Sequence, residues 1–263
     1  REIWGNHVHH GLWSSGRESI REATEALVEQ AFSGIRLRPG MRVCDVGCGY
    51  GETSRHLVRN HGVEVVGYTV SSAQYELARS VTLDDVNPSF VLGDWLVADV
   101  PDNTFDVVSS IESSEHMPDL ERFFAEAART LKPGGRFMVC TWLSRQGPSD
   151  WELRHLLEPI CSEGRMRMGS EREYRALIEA AGLSVDRFED LSDRVARTWT
   201  LCLAGMVRGL ARRRDYWQFL LHDPSRNKEF ALTLVRIRLA YALGAMRYAI
   251  FTATKPRTAA RAS

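Results

Sequence analysis

Three ionisable residues crowd five positions in the stretch Ser109-Ser-Ile-Glu-Ser-Ser-Glu-His-Met-Pro-Asp119: Glu112, Glu115 and His116. Charged groups set in an apolar stretch are costly unless they face a polar site. An imidazole titrates near pH ~6.5 and can take a proton at neutrality. A carboxylate beside it can act as a base, orient the ring or stabilise a developing cation. The residue types therefore nominate His116 first and Glu115 second as catalytic base. The plainer reading makes Glu112 and Glu115 local caps or ion pairs, since Pro118-Asp119 begins a helix. A second segment, Asp45-Val-Gly-Cys-Gly-Tyr-Gly51, alternates glycines. Glycine permits positive φ and close approach of a ligand to the backbone. The spacing is G-x-G-x-G, not the G-x-G-x-x-G of a dinucleotide site, and the Gly-Lys-Ser/Thr of a P-loop is absent. Asp45 at the mouth suits a cation better than a phosphate.

The elements that must hold these segments follow from periodicity. Residues 17–32 read as an amphipathic helix ended near Gly34. Strands are expected at 41–46, 63–69, 89–92, 105–111, 136–142, 183–188 and 248–254. Helices are expected at 51–61, 72–80, 120–131, 151–158 and 171–181, and through most of 195–246. Lys132-Pro-Gly-Gly135 reads as a turn. Alternating strands and helices predict an α/β fold with a mostly parallel seven-stranded sheet, helices on both faces and a helical substrate cap. Ligands of such sheets sit at the carboxyl ends of the strands, where strand order reverses. The chain divides into an N-terminal helical lid (1–34), a core (35–142), a late strand with the cap (143–246), a final strand (247–256) and a frayed tail (257–263).

Composition narrows the partners. The chain has 263 residues, 34 Lys plus Arg and 34 Asp plus Glu. Zero formal charge argues against a nucleic-acid binder. Hydrophobic residues at 44% supply a core. No apolar run reaches the ~18 residues of a membrane span, so no stable membrane insertion is expected. No signal-peptide core is visible, and the first residue is not Met, so upstream residues are expected. The five cysteines, Cys44, Cys48, Cys140, Cys161 and Cys202, lack framework spacing and read as reduced thiols of a cytoplasmic protein. His7, His9 and His10 lack the i, i+4 spacing of helical zinc ligands, so no metal is expected.

Asp45 to Gly51, Ser109 to Asp119 and Leu131-Lys-Pro-Gly-Gly-Arg-Phe137 together resemble the motifs of class I S-adenosylmethionine-dependent methyltransferases. Glu112 to Asp119, Thr141-Trp142 and Arg247-Tyr-Ala-Ile-Phe-Thr-Ala-Thr-Lys-Pro256 are most similar to the γ-tocopherol methyltransferase-like group. The resemblance implies a Rossmann-like fold and S-adenosyl-L-methionine as cofactor, with S-adenosyl-L-homocysteine as product. It implies that Asp45, Gly47, Cys48 and Gly49 shape the methionine pocket. The usual ribose carboxylate is absent from Gly67-Tyr-Thr-Val-Ser71. Thr69 and Val70 lie there instead, and Gln74 takes over the ribose; without the resemblance Gln74 reads as a solvated helix residue. Gly93, Asp94 and Trp95 match the adenine motif, and Ile111 would touch the adenosine. His116 would also reach the cofactor. His7 to Trp13 is similar to a lid segment, with Trp13 closing over the ligand.

Glu112, Trp142, Trp199, Met206 and Trp217 are the candidate substrate contacts. Any single aromatic here is more often core than ligand box. Together they favour a bulky lipophilic acceptor: a prenylated aromatic, indole, quinol or terpenoid of natural product biosynthesis. Arg208 and Arg212-Arg213-Arg214 read as a solvated face, or as contacts to a prenyl diphosphate. A non-catalytic partner module is the remaining reading. The aromatic N-terminal arm offers a surface for a homo-oligomer.

Overall fold

The computed structural model describes residues 9–83, 86–212 and 224–257. Strands β1 (Arg42–Val46), β2 (Glu64–Thr69), β3 (Ser89–Leu92), β4 (Phe105–Ile111) and β5 (Leu131–Ser144) alternate with helices α2 (Glu52–His61), α3 (Ser72–Ser80) and α4 (Leu120–Thr130). Helix α1 (Ile20–Phe32) precedes them. Helical turns follow over 150–164: α5 (Asp150–Glu152), a π segment (Leu153–Leu157) and α6 (Glu158–Gly164). Then come β6 (Gly169–Ser170), α7 (Glu171–Ala180) and β7 (Ser184–Asp190). Helices α8 (Ser192–Val195), α9 (Arg197–Arg212) and α10 (Pro224–Ala242) lead to β8 (Met246–Thr254).

The sheet order is β3-β2-β1-β4-β5-β8-β7, with the two-residue β6 added beside β5. Only β8 runs antiparallel to its neighbours. Strand order reverses between β1 and β4, so the switch point lies where the glycine loop and the Glu112 loop begin.

Side-chain alternation builds two cores from the same strands. Val43, Val107 and Met138 join α1 and α2 on one face. Cys44, Val108, Phe137 and Val139 join α4 and α7 on the other. The first core runs on without a break into the cap through Trp199, Leu234, Ile237 and Tyr241. The cap is therefore seated on the sheet by shared apolar packing. Among the described residues no helix is long and apolar enough to cross a membrane.

Several sequence boundaries shift, among them the following three. Helix α1 starts at Ile20, because Ser19 accepts from the Glu22 N–H and Glu22 reaches back to the Ser19 N–H. That reciprocal cap excludes residues 17 and 18. The Lys132–Gly135 turn is an irregularity within one long strand. The register jumps from Phe105 opposite Leu131 to Val107 opposite Arg136. Of the cap, the described residues form α9 and α10; Arg213, Arg214 and Trp217 lie outside the described residues.

Candidate active site

A cavity of about 650 Å³ opens at the switch point. Its floor is the glycine loop. Gly47, Gly49 and Gly51 all have positive φ, 79°, 55° and 77°, a region that side chains rarely enter. Gly47 has a second reason: a Cβ there would lie 2.2 Å from the Ser113 Cβ. The ends of β1 and β4 cross this closely because Ser113 Oγ donates to the Val46 carbonyl at 2.7 Å. On the other flank the Gly47 and Cys48 N–H groups both donate to the Tyr68 carbonyl at 2.9 Å. Asp45 is buried and accepts from Ser54 Oγ at 2.6 Å. Burial pushes its carboxyl up to about 6.

The side walls place most of the expected cofactor residues together. Asp45, Gly47, Cys48, Gly49, Thr69, Val70, Gln74, Gly93, Asp94, Trp95, Ile111 and His116 all line the cavity. Thr69 Oγ1 donates to Gln74 Oε1 at 2.8 Å, which leaves the Gln74 NH₂ group free to donate into the cavity. Gln74→Ala should weaken cofactor binding by about 1 kcal/mol, the usual worth of one hydrogen bond. Calorimetry with S-adenosylhomocysteine checks this, and no loss would place the ribose elsewhere. Asp94 Oδ1 caps the turn Trp95–Val97 by accepting from the Leu96 N–H at 2.9 Å. Its second oxygen takes no part in that cap.

Glu112 and Glu115 are neither caps nor surface ion pairs; Asp119 caps α4. Glu112 has φ 50°, a costly region for a glutamate. Four donors hold it there. Oε1 accepts from the His10 N–H at 2.7 Å, His10 Nδ1 at 2.8 Å and the Tyr248 hydroxyl at 2.6 Å. Oε2 accepts from Trp142 Nε1 at 3.0 Å. Burial alone would raise this carboxyl. The facing His10 ring, then His9 and the Tyr248 hydroxyl, outweigh it and hold Glu112 at about 2. Trp199 Nε1 donates to His10 Nε2 at 2.5 Å. An indole N–H can only donate, so the His10 ring hydrogen sits on Nδ1, toward Glu112.

Glu115 is the opposite case. It is 2% exposed. Ser114 Oγ and Thr141 Oγ1 donate to Oε2 at 3.2 and 3.1 Å, and the Tyr174 hydroxyl lies behind both. Burial, and then the charge of Glu112, push its carboxyl up to about 8. His116 is exposed on the same wall, and its Nδ1 lies 3.2 Å from the Arg165 carbonyl. That carbonyl accepts the ring hydrogen and leaves Nε2 as the acceptor.

Of the substrate candidates, Glu112, Trp142 and Trp199 line the cavity. Met206 packs into the core beside it instead, and Trp217 lies outside the described residues. Trp13 is not among the residues that line the cavity. Its indole N–H donates to Thr198 Oγ1 at 2.9 Å and its ring packs inside the chain. The bare Gly11 makes room for it: a Cβ there would meet Ala23 at 2.7 Å and the Trp13 ring at 3.2 Å. The described part of the N-terminal arm is thus spent on its own chain. His9 takes the lid position on the cavity wall. The sequence reading missed His10, Tyr248, Thr141 and Tyr174 as site residues. His10, Thr141 and Tyr248 lie in segments that carried the resemblance, but without a role assigned; Tyr174 lies in none of them.

The described lining includes Asp45, Glu52, Asp94, Glu112 and Glu115 and no Lys or Arg. Such a cavity suits a cationic nucleoside and not a pyrophosphate. Trp95, on the same wall, keeps a buried indole N–H without a partner. The bare glycine cradle, the free Gln74 amide and the acidic lining fit S-adenosylmethionine.

The comparisons agree with that fit. Residues 15–187 match the methyltransferase domain family. The chain is 33% identical over 258 residues to 27-O-demethylrifamycin SV methyltransferase of Amycolatopsis mediterranei, covering 97% of this chain and 92% of that one. It is 33% identical over 277 residues to the rice (Oryza sativa subsp. japonica) protein named as a tocopherol O-methyltransferase, covering 97% and 74%. The cyclopropane synthase MmaA2 from Mycobacterium tuberculosis has the same fold, with TM-score 0.82 at 20% identity over 95% of this chain and 90% of that one. This chain belongs to the methyltransferase domain family and is an S-adenosylmethionine-dependent methyltransferase.

Proposed function

We propose that the protein methylates a bulky lipophilic small molecule, with Glu115 as general base. The observation that carries this reading is a pair of carboxyls three residues apart whose environments push them in opposite directions, to about 2 for Glu112 and about 8 for Glu115. Split carboxyls of this kind assign roles: one stays charged, the other exchanges a proton near neutrality. When bound, the cofactor supplies an activated methyl group and an excellent leaving group. The chain has to align the acceptor, exclude water and take a proton. Ile111, Met117, Trp142, Met166 and Trp199 give the cavity an apolar wall for such an acceptor. Glu112, His10, Tyr248 and Trp142 fix that wall in place. His116 stands at the rim, where its Nε2 can relay the proton to solvent. The free cysteines suit a reducing, cytoplasmic setting.

The prenyl diphosphate reading finds no support in the cavity, whose described lining holds no Lys or Arg. Arg208 is exposed and bonds its own helix at the Ala204 carbonyl. Transfer of labelled methyl from S-adenosylmethionine to a panel of prenylated hydroquinones, indoles and terpenoid alcohols, run beside geranyl diphosphate, tests both. Turnover confined to the diphosphate would overturn the proposal.

A further inference from the structure

Where α1 packs on α2, three side chains converge on one point outside the cavity. Glu29 Oε1 lies 2.6 Å from His56 Nε2 and 3.3 Å from His61 Nε2. One ligand atom from each residue lies within 4.8 Å of the other two, and among the described residues no other group of His, Cys, Asp and Glu side chains does so. None of the three lines the cavity. His56 is buried, while the Glu29 side chain is 49% exposed, so the point is open to solvent on one side.

Two imidazole nitrogens and one carboxylate oxygen are a common donor set for zinc and its neighbours, with a further position left for water. Around a tetrahedral ion with bonds of about 2.0–2.1 Å, neighbouring ligand atoms stand about 3.3 Å apart. The Glu29–His61 separation already has that value. The Glu29–His56 pair has to open by about 0.7 Å to reach it, within reach of a half-exposed glutamate rotating about its own bonds.

We propose that Glu29, His56 and His61 bind one divalent transition-metal ion of the zinc type, which ties α1 to α2. The tie has a structural purpose. Helix α2 opens from the glycine loop at Gly51, and α1 carries the segment whose His9 lines the cavity. An ion joining the two helices fixes the lid segment against the loop that cradles the cofactor. Nothing in methyl transfer requires it, so the site stands or falls apart from the catalytic proposal.

The test uses the whole chain, stripped with a chelator and titrated first with Co²⁺ and then with Zn²⁺. A single equivalent of Co²⁺ should give the visible bands of a low-coordinate site without a sulfur-to-cobalt band in the near ultraviolet, and Zn²⁺ should displace it. Zinc should raise the melting temperature, since only the folded chain assembles the site. Glu29→Gln keeps a hydrogen-bond acceptor, and His61→Ala alters the last residue of α2. Both should weaken binding more than about tenfold without lowering the metal-free melting temperature. Unchanged bands in both variants, a sulfur band marking one of the cysteines, or no uptake by the parent chain would each overturn the assignment.

Discussion

With Glu115 as the proposed base, replacing it with Gln should lower kcat by about 10²- to 10⁴-fold, the usual loss on removing a general base, and should leave S-adenosylhomocysteine affinity near that of the parent. Gln fills the same volume and its oxygen can still accept from Ser114 and Thr141. It cannot take a proton. The pH profile carries the same signature. Activity that needs ionised Glu115 rises through about pH 8 and then levels, because burial and the charge of Glu112 hold the proton on to that point. Stability runs the other way. The folded chain keeps a proton that the unfolded chain loses near 4.5. This contribution to stability is fully present below that value and is lost as the pH rises through about 8. The Gln variant does not suffer that loss, so it should melt above the parent at alkaline pH while being the poorer catalyst. Parent-like turnover in Glu115→Gln, with the loss appearing in His116→Ala instead, would move the base to the imidazole.

Gly49→Val should lower S-adenosylhomocysteine affinity by more than about 100-fold, or about 2.8 kcal/mol at 1.4 kcal/mol per decade. Gly49 holds φ 55° on the cavity floor. A β-branched residue is strained there, and its methyl groups would occupy the space that the bare backbone leaves for a ligand. The strain itself, of order 1–2 kcal/mol, is small beside the 5–15 kcal/mol of a typical domain. The variant should therefore fold. Calorimetry beside a thermal melt separates the two effects; a folded variant with undiminished affinity would remove the glycine loop from the cofactor site.

The part of the cavity lining around the glycine loop was readable from the chain because its determinants are local. A strand, three alternating glycines and a helix within residues 42–61 fix the cradle by backbone sterics alone. Gln74 and Asp94 follow the next two strands at short range. Trp13 was misplaced because its partners are distant: Thr198 lies 185 residues away, and no periodicity in the arm reveals that the ring turns inward. The preference for His116 over Glu115 came from unperturbed titration values. It could not include the burial of one and the exposure of the other.

The alternating fold, the glycine cradle and the acidic-imidazole loop were legible in the chain, since each rests on spacings shorter than one helix or strand. Tertiary structure alone decided what those groups can do. Glu112 meets His10 across 102 residues and Tyr248 across 136. Glu115 is enclosed by Thr141 and Tyr174, and Glu29 reaches His56 and His61 from another helix. A carboxyl's affinity for a proton or a metal is set by the dielectric and the dipoles within a few ångströms of it. Those neighbours come from parts of the chain that only folding brings together.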